Sequence, residues 1–150
     1  MPRTVYVNGD YLPEGDAKVS IFDRAFLMAD GVYEVTSVLD GKLIDFDGHL
    51  ARLERSLSEL DIQKPDCFDD LLEIHRELVR VNDIGDGMVY LQVTRGAAED
   101  RDFAFPDPEV VKPTVVLFTQ SKPGLADSPA SKKGIKVISI EDIRWGRRDI

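Results

Sequence analysis

Two arginines and a tyrosine are the residues of this sequence whose types suit the binding of a small anion. Arg52 follows His49 by three residues, and Arg101 begins the segment Arg101-Asp102-Phe103. A guanidinium donates paired hydrogen bonds to phosphate or carboxylate and does not titrate away. Tyr33 adds a phenol hydroxyl. By residue type alone, an arginine at such a position is more often solvated or in a weak surface ion pair, and Tyr33 is as often a core aromatic.

Composition and charge argue against several classes of function. The chain has 150 residues, 43% of them apolar, and a net charge of -9, which is unfavourable for a nucleic-acid or anionic membrane surface. No apolar run reaches the length of a signal peptide or a membrane span, so we expect a cytoplasmic protein. A single cysteine, Cys67, and two histidines give no structural zinc set and no internal disulfide.

Alternation of apolar residues and turn signals predicts the strands. Asn8-Gly9 and Asp40-Gly41 are typical of hairpin turns because these residues tolerate positive φ angles. The sequence from Ser121 onward changes to Pro, Gly and Lys, which is the composition of a linker. The predicted strands cover residues 4–7, 17–21, 32–39, 42–46, 88–94 and 114–119.

Two amphipathic helices are predicted between the strands. Asp47 is a candidate N-cap, and leucines recur at helical spacing from Leu50 to about Asp61. A second helix is expected from about Asp66 to Asn82, with acidic residues in its first turn. Both helices should pack on one face of the sheet.

These elements predict an α+β fold with a mainly antiparallel sheet and two packed helices. The N-terminal domain would cover residues 1–120, and an interdomain linker residues 121–134. Residues 135–150 would form the first strand of a second, C-terminal domain, because they are too few for a core of their own. We therefore expect that most of the second domain is missing and that the chain is truncated.

Four blocks occur in the same order as in a known family. They are residues 23–35 (DRAFLMADGVYEV), residues 49–53 (HLARL), residues 90–96 (YLQVTRG) and residues 141–150 (EDIRWGRRDI). In these blocks the chain resembles the class IV aminotransferases, the pyridoxal-phosphate enzymes of fold type four. The Tyr-x-Gln-Val-Thr-Arg-Gly strand and the arginine loop after it resemble most closely the D-amino-acid transaminases of that family.

The resemblance implies a role for each candidate residue. Arg52 would bind the cofactor phosphate, with His49 beside it. Tyr33 would donate a hydrogen bond to the substrate carboxylate, and Arg101 would reach across a dimer interface to bind the same carboxylate. Phe103 stands where the D-specific members have histidine, so a hydrogen-bond donor near the substrate becomes an apolar ring. No catalytic residue is expected within the chain, because the lysine of the family follows the position of Ile150.

The activity implied by the resemblance is transamination of D-amino acids to 2-oxo acids with pyridoxal 5'-phosphate, in a homodimer. Other class IV activities stay open because of Phe103. They are those of a branched-chain aminotransferase, an amine transaminase and an aminodeoxychorismate lyase. A further alternative is a non-catalytic α/β dimerisation module, which applies if the chain is complete.

Overall fold

The computed structural model describes residues 2–124, 127, 129–143 and 146. The strands within these residues are β1 (Thr4–Val7), β2 (Asp10–Pro13), β3 (Gly31–Leu39), β4 (Lys42–Leu43), β5 (Gly87–Thr94) and β6 (Val115–Ser121). The helices are α1 (Arg24–Met28), α2 (Phe46–Glu59), α3 (Leu71–Val81) and α4 (Pro129–Lys133), with a short 3-10 turn at Phe68–Asp70.

The strands of the described residues form one antiparallel sheet in the order β2-β1-β6-β5-β3-β4. Asn8-Gly9 joins β1 to β2, and Asp40-Gly41 joins β3 to β4. All four of these turn residues have positive φ, as two-residue hairpins require. The predicted antiparallel sheet and both hairpin turns are confirmed.

The hydrophobic core lies between one face of this sheet and helices α2 and α3. Along β3 the side chains alternate, so that Glu34, Thr36 and Val38 are buried while Tyr33 lies on the opposite face. The predicted packing of both helices on one face of the sheet is confirmed. The most deeply buried aliphatic residues of this core are Val38, Leu53, Leu57, Leu71, Leu78, Val89, Val93 and Leu117.

The second predicted strand, at residues 17–21, is wrong. The returning strand is β2, which begins at Asp10 directly after the turn and ends with Pro13 opposite Thr4. A two-residue turn brings the chain back at once, and proline has no N–H with which to extend the ladder. Residues 17–20 therefore have no regular secondary structure.

Both long helices begin differently from the prediction. Asp45, and not Asp47, is the N-cap residue of α2, and its φ of 51° turns the chain out of the sheet. The predicted strand at 42–46 therefore ends after Leu43. The predicted second helix, residues 66–82, divides into the 3-10 turn and α3.

The segment after β6 departs from the prediction in two ways. A short helix, α4, lies within the predicted linker 121–134. Residues 135–143 form no strand, and their apolar side chains, such as Ile135 and Ile138, are exposed. A strand needs a neighbouring strand for its backbone hydrogen bonds, and no described strand pairs with this segment. The domain boundary itself stays a prediction.

Two further features are absent from the described residues. None of their helices has the length and hydrophobicity needed to span a bilayer. No group of three or more His, Cys, Asp or Glu side chains among them is placed to hold a metal ion.

Candidate functional site

Glu34 and Arg52 form a bidentate ion pair between β3 and α2. Glu34 is almost fully buried on the helix-facing side of the sheet, whereas Arg52, in the second turn of α2, is 56% exposed. Nε of Arg52 donates to Oε1 of Glu34 and Nη2 donates to Oε2, both at 2.7 Å. Two parallel bonds fix the plane of the guanidinium as well as its position.

His49 lies one helical turn before Arg52 and binds the same carboxylate. Its Nδ1 is 2.7 Å from Oε2 of Glu34 and 3.3 Å from Nη2 of Arg52. An ionised carboxylate can only accept, so Nδ1 carries the proton and donates to Glu34. The approach of Nη2 is then a contact between two donors and not a hydrogen bond. His49 thus acts on Arg52 through Glu34.

Glu34 and Arg52 each stabilise the charged form of the other. Burial alone raises the pKa of Glu34, but hydrogen bonds from Arg52 and His49 outweigh it and hold the pKa below its ordinary value. The hydrogen bond to Glu34 in turn raises the pKa of Arg52. Glu34 and Arg52 are therefore both charged at neutral pH.

The outer edge of the Arg52 guanidinium is open to a ligand. Within the part of the chain that the structure describes, Nη1 forms no hydrogen bond, and Nη2 has a second N–H beyond the one given to Glu34. Two N–H groups on one edge match two oxygens of a phosphate. The residues present therefore fit the phosphate group of pyridoxal 5'-phosphate.

Tyr33 lies on the opposite face of the sheet from Glu34. Its side chain is 66% exposed, and its ring stacks on Tyr90 of β5 with centroids 5.8 Å apart. Tyr90 stacks in turn on Phe118 of β6 at 4.9 Å. The ring of Tyr33 is therefore supported from one side while the rest of the side chain remains accessible.

Tyr33 and Arg52 flank an open edge of the sheet. The short strand β4 pairs only with Val38 and Leu39, so residues 31–36 of β3 have a strand neighbour on one side only among the described residues. Tyr33 projects from one face of this strand, and Arg52 is bonded to Glu34 on the other face. The two candidate residues thus approach the same edge from its two faces.

Arg101 and Phe103 lie together on the loop between β5 and β6. The guanidinium carbon of Arg101 is 4.7 Å from the centroid of the Phe103 ring, and both side chains are exposed. A guanidinium over an aromatic face is attracted by the ring quadrupole. Phe103 therefore contacts Arg101 directly, although it cannot donate a hydrogen bond.

The candidate residues fall into two groups. One comprises Tyr33 and Arg52 at the open edge of β3, and the other comprises Arg101 and Phe103. Among the described residues no hydrogen bond, ion pair or ring contact joins the two groups. Trp145 and residues 147–150, which precede the expected lysine position, lie outside the described residues.

Sequence reasoning assigned no role to four charged residues that the structure places near these groups. Glu34 could have been found from strand alternation, because a carboxylate on the buried face requires a partner. Arg24, Asp30 and Arg95 form a second ionic cluster, beside the loop of Arg101. Arg24 and Asp30 lie in the block 23–35 and bond each other, but their spacing alone gives no sign of Arg95, the second donor to Asp30.

The fold and the site define the class of this protein. A model of the family described as amino-transferase class IV matches residues 31–149, which is most of the chain. The chain belongs to this family. The D-alanine aminotransferase of Staphylococcus haemolyticus is 40% identical over 148 residues, which cover 97% of this chain and 50% of that protein. The chain thus spans about half the length of the curated relatives it matches.

Solved structures share the fold. 4-Amino-4-deoxychorismate lyase from Pseudomonas aeruginosa matches with a TM-score of 0.61 and 29% identity, over 80% of this chain and 40% of that chain. Branched-chain amino acid aminotransferase from Escherichia coli matches with a TM-score of 0.70 and 20% identity, over 81% of this chain and 42% of that chain. The described antiparallel sheet with its helices is therefore the N-terminal fold of class IV aminotransferases.

Proposed function

We propose that the complete protein is a pyridoxal-5'-phosphate-dependent aminotransferase that transfers the amino group of D-amino acids, of the D-alanine type, to 2-oxo acids. The observation that carries the proposal is the bidentate Glu34–Arg52 pair, which leaves an open guanidinium edge beside an open strand edge. Relatives named D-alanine aminotransferase, 35% to 40% identical over 97% of the chain, support the D-amino-acid substrate.

Arg52 is the cofactor-binding residue of this proposal. The two N–H groups on its open edge would donate to phosphate oxygens, while Glu34 holds the opposite edge. When bound, the cofactor supplies an electron sink for the charge that develops at the substrate α-carbon. Because Glu34 fixes the guanidinium before the ligand binds, less conformational entropy is lost when phosphate binds.

Tyr33 and Arg101 are the substrate-binding residues of this proposal. The exposed phenol of Tyr33 would donate to the substrate carboxylate, and Arg101 would form a bidentate pair with it. The Phe103 ring covers one face of the Arg101 guanidinium and leaves its N–H edge free in the plane. Phe103 therefore restricts how Arg101 meets the carboxylate, which makes Phe103 a specificity residue.

The proposed active site requires a second subunit and one further residue. In a homodimer, the Arg101 loop of one subunit would complete the site of the other, consistent with the two separate residue groups in one chain. A lysine after Ile150 would move the proton between substrate and cofactor. We expect the enzyme in the cytoplasm, acting on free amino acids and 2-oxo acids.

The test is a transamination assay with the full-length protein and pyridoxal 5'-phosphate. Pyruvate formation is measured from D-alanine and from L-alanine with 2-oxoglutarate as acceptor. We expect rapid turnover of D-alanine and little of L-alanine. The Arg52→Gln variant should lose activity, while Arg55→Gln, an exposed arginine on the same helix, should keep it.

Each alternative predicts activity with a different substrate, followed as glutamate formed from 2-oxoglutarate or, for the lyase, as pyruvate. Turnover of L-isoleucine alone would indicate a branched-chain aminotransferase. Turnover of an amine without a carboxylate would indicate an amine transaminase, and release of pyruvate from aminodeoxychorismate without an acceptor would indicate the lyase. A protein that binds no pyridoxal phosphate and has none of these activities would be a non-catalytic module.

A further inference from the structure

A buried ionic cluster lies at the base of the β5–β6 loop, apart from Glu34 and Arg52. Oδ2 of Asp30 accepts hydrogen bonds from Nε of Arg24 at 2.6 Å and from Nε of Arg95 at 2.9 Å. The side chains of Arg24, Asp30 and Arg95 are only 5%, 13% and 10% exposed. Burying two cations with one anion is costly unless the remaining donors also find partners.

Arg24 binds the backbone of the loop through its Nη1 atom. Its Nη1 donates to the carbonyl oxygen of Asp102 at 2.8 Å and to that of Ala104 at 3.1 Å. These two carbonyls belong to the residues on either side of Phe103, and Asp102 directly follows Arg101 in the chain. A buried cation thus binds the backbone of the segment that carries both residues.

Phe105 adds a second attachment of the loop to the same cluster. Its ring centroid is 3.8 Å from the guanidinium carbon of Arg95 and 5.7 Å from that of Arg24. Arg95 is itself fixed, because its Nη1 and Nη2 donate to the carbonyls of Asp61 and Leu60 after α2. The loop therefore packs on Arg95, whose position is fixed by hydrogen bonds to the end of core helix α2.

The base of the loop is also fixed, at Gly96. This residue has a φ of +98°, and a Cβ there would lie 2.1 Å from the carbonyl oxygen of Lys112. Its own carbonyl accepts from the backbone N–H of Arg24 at 3.0 Å. The loop thus leaves the sheet in one direction, and Arg24 contacts it at the base and again near its tip.

We propose that Arg24 is a positioning residue for substrate binding: with Asp30 and Arg95 it holds the backbone of residues 102–104 and so sets where Arg101 presents its guanidinium. Arg24 itself touches no substrate. The planar fork of an arginine bonds Asp30 and two carbonyls at once, which the single ammonium of a lysine cannot reproduce. The inference rests on the proposed role of Arg101 in binding the substrate carboxylate.

The first measurement tests the hold on the loop and needs no substrate. The full-length holoenzyme is treated with trypsin, and the rate of cleavage after Arg101 is followed by mass spectrometry. Arg24→Lys keeps the charge beside Asp30, and Phe105→Leu alters only a ring that is 65% exposed. Both should raise the cleavage rate about tenfold, because local opening of the loop becomes easier. Arg76→Lys, an exposed partner of Glu73, should leave it unchanged.

The second measurement separates positioning from a general structural effect. Arg24→Lys should raise KM for D-alanine about fivefold or more with little change in kcat, and should leave the affinity for pyridoxal 5'-phosphate, which Arg101 does not bind, unchanged. Unchanged cleavage in both variants would overturn the proposal, and so would faster cleavage with an unchanged KM for D-alanine. If the wild-type protein does not use D-alanine, the proposed function fails, and the cleavage rates still decide whether Arg24 holds the loop.

Discussion

Glu34 holds Arg52 by two hydrogen bonds of 2.7 Å each, from the side of the guanidinium that faces the sheet. The contact joins a buried position of β3 to an exposed position of α2. Because the pair is bidentate, the direction of the open edge of Arg52 is set by a residue that would not touch the cofactor. Anion binding at this edge should therefore depend on Glu34 as well as on Arg52.

Glu34→Gln should weaken the binding of pyridoxal 5'-phosphate about tenfold. The glutamine amide accepts at only one of the two positions and turns its own donor toward Arg52 or His49, so the guanidinium is no longer fixed. Affinity is measured by fluorescence titration of the full-length apoprotein. Glu54→Gln is the control and should bind normally, because Glu54 lies on the same helix as Arg52 but in an exposed pair with Lys64. Equal affinities in both variants would contradict this account.

Phe103→Leu should raise KM for D-alanine about two- to fivefold while kcat stays the same. The substitution removes the ring that lies 4.7 Å from the Arg101 guanidinium, and an exposed contact of this kind contributes about 0.5 to 1 kcal/mol. The measurement is steady-state kinetics of the full-length enzyme. Val110→Ala, an exposed change in the same loop, should have no effect. A KM effect of the same size in both variants would show that the Phe103 ring does not act on Arg101.

His75 should make the fold less stable in mild acid. The ring is buried, its Nδ1 donates to the carbonyl of Leu71 at 2.7 Å, and burial lowers its pKa from 6.5 to about 4. Between these values the unfolded chain binds a proton that the folded chain does not. The stability that the neutral His75 ring contributes to the folded state is present above pH 6.5 and is lost as the pH falls toward 4. The free energy of unfolding should therefore fall by about 2 kcal/mol between pH 7.5 and pH 5.

The measurement for His75 is the free energy of unfolding in urea at pH 7.5 and at pH 5. In His75→Leu the loss of stability between the two values should be smaller than in the wild type by about this 2 kcal/mol. Other titrating groups change both proteins alike, so the wild type serves as the control. The same pH dependence in both proteins would mean that His75 is protonated in the folded state.

Gly87→Ala should destabilise the fold, whereas Gly85→Ala should not. A Cβ on Gly87 would lie 2.0 Å from the backbone carbonyl oxygen of Gln120 in the neighbouring strand, and backbone cannot move aside easily. We expect a loss of about 1 to 3 kcal/mol, the range for overpacked interior sites. A Cβ on Gly85 meets no atom within 4 Å. Urea unfolding of both variants checks the difference, and equal stabilities would contradict the strand pairing of β5 with β6.

Local chemistry made much of the fold predictable. The turns at Asn8-Gly9 and Asp40-Gly41 require positive φ, and the leucine spacing of α2 is set by helical geometry, so both follow from neighbouring residues. The strand predicted at residues 17–21 failed because alternation of apolar residues does not determine which segment pairs with β1. Its place beside β1 was already filled by β2, which has little apolar character.

The site was predictable only in part, for a related reason. Arg52 was singled out by a motif within one helix, whereas its partner Glu34 is 18 residues away and becomes visible only when β3 packs on α2. Arg24 bonds carbonyls 78 and 80 residues further along the chain. Every residue has a backbone carbonyl, so a sequence does not indicate which of them accepts a hydrogen bond. The attachment of the Arg101 loop could therefore be recognised only in the three-dimensional structure.

The central claim is that the open edge of Arg52 binds the phosphate of the cofactor. The most direct measurement compares dissociation constants of pyridoxal 5'-phosphate and of pyridoxal, which lacks the phosphate, for full-length wild type, Arg52→Gln and Arg55→Gln. Arg52→Gln should weaken pyridoxal 5'-phosphate binding by about 10- to 100-fold, the loss of charge-assisted hydrogen bonds, and leave pyridoxal binding unchanged. Arg55→Gln should match the wild type for both ligands. Equal weakening of both ligands by Arg52→Gln, or no weakening of either, would contradict the phosphate site.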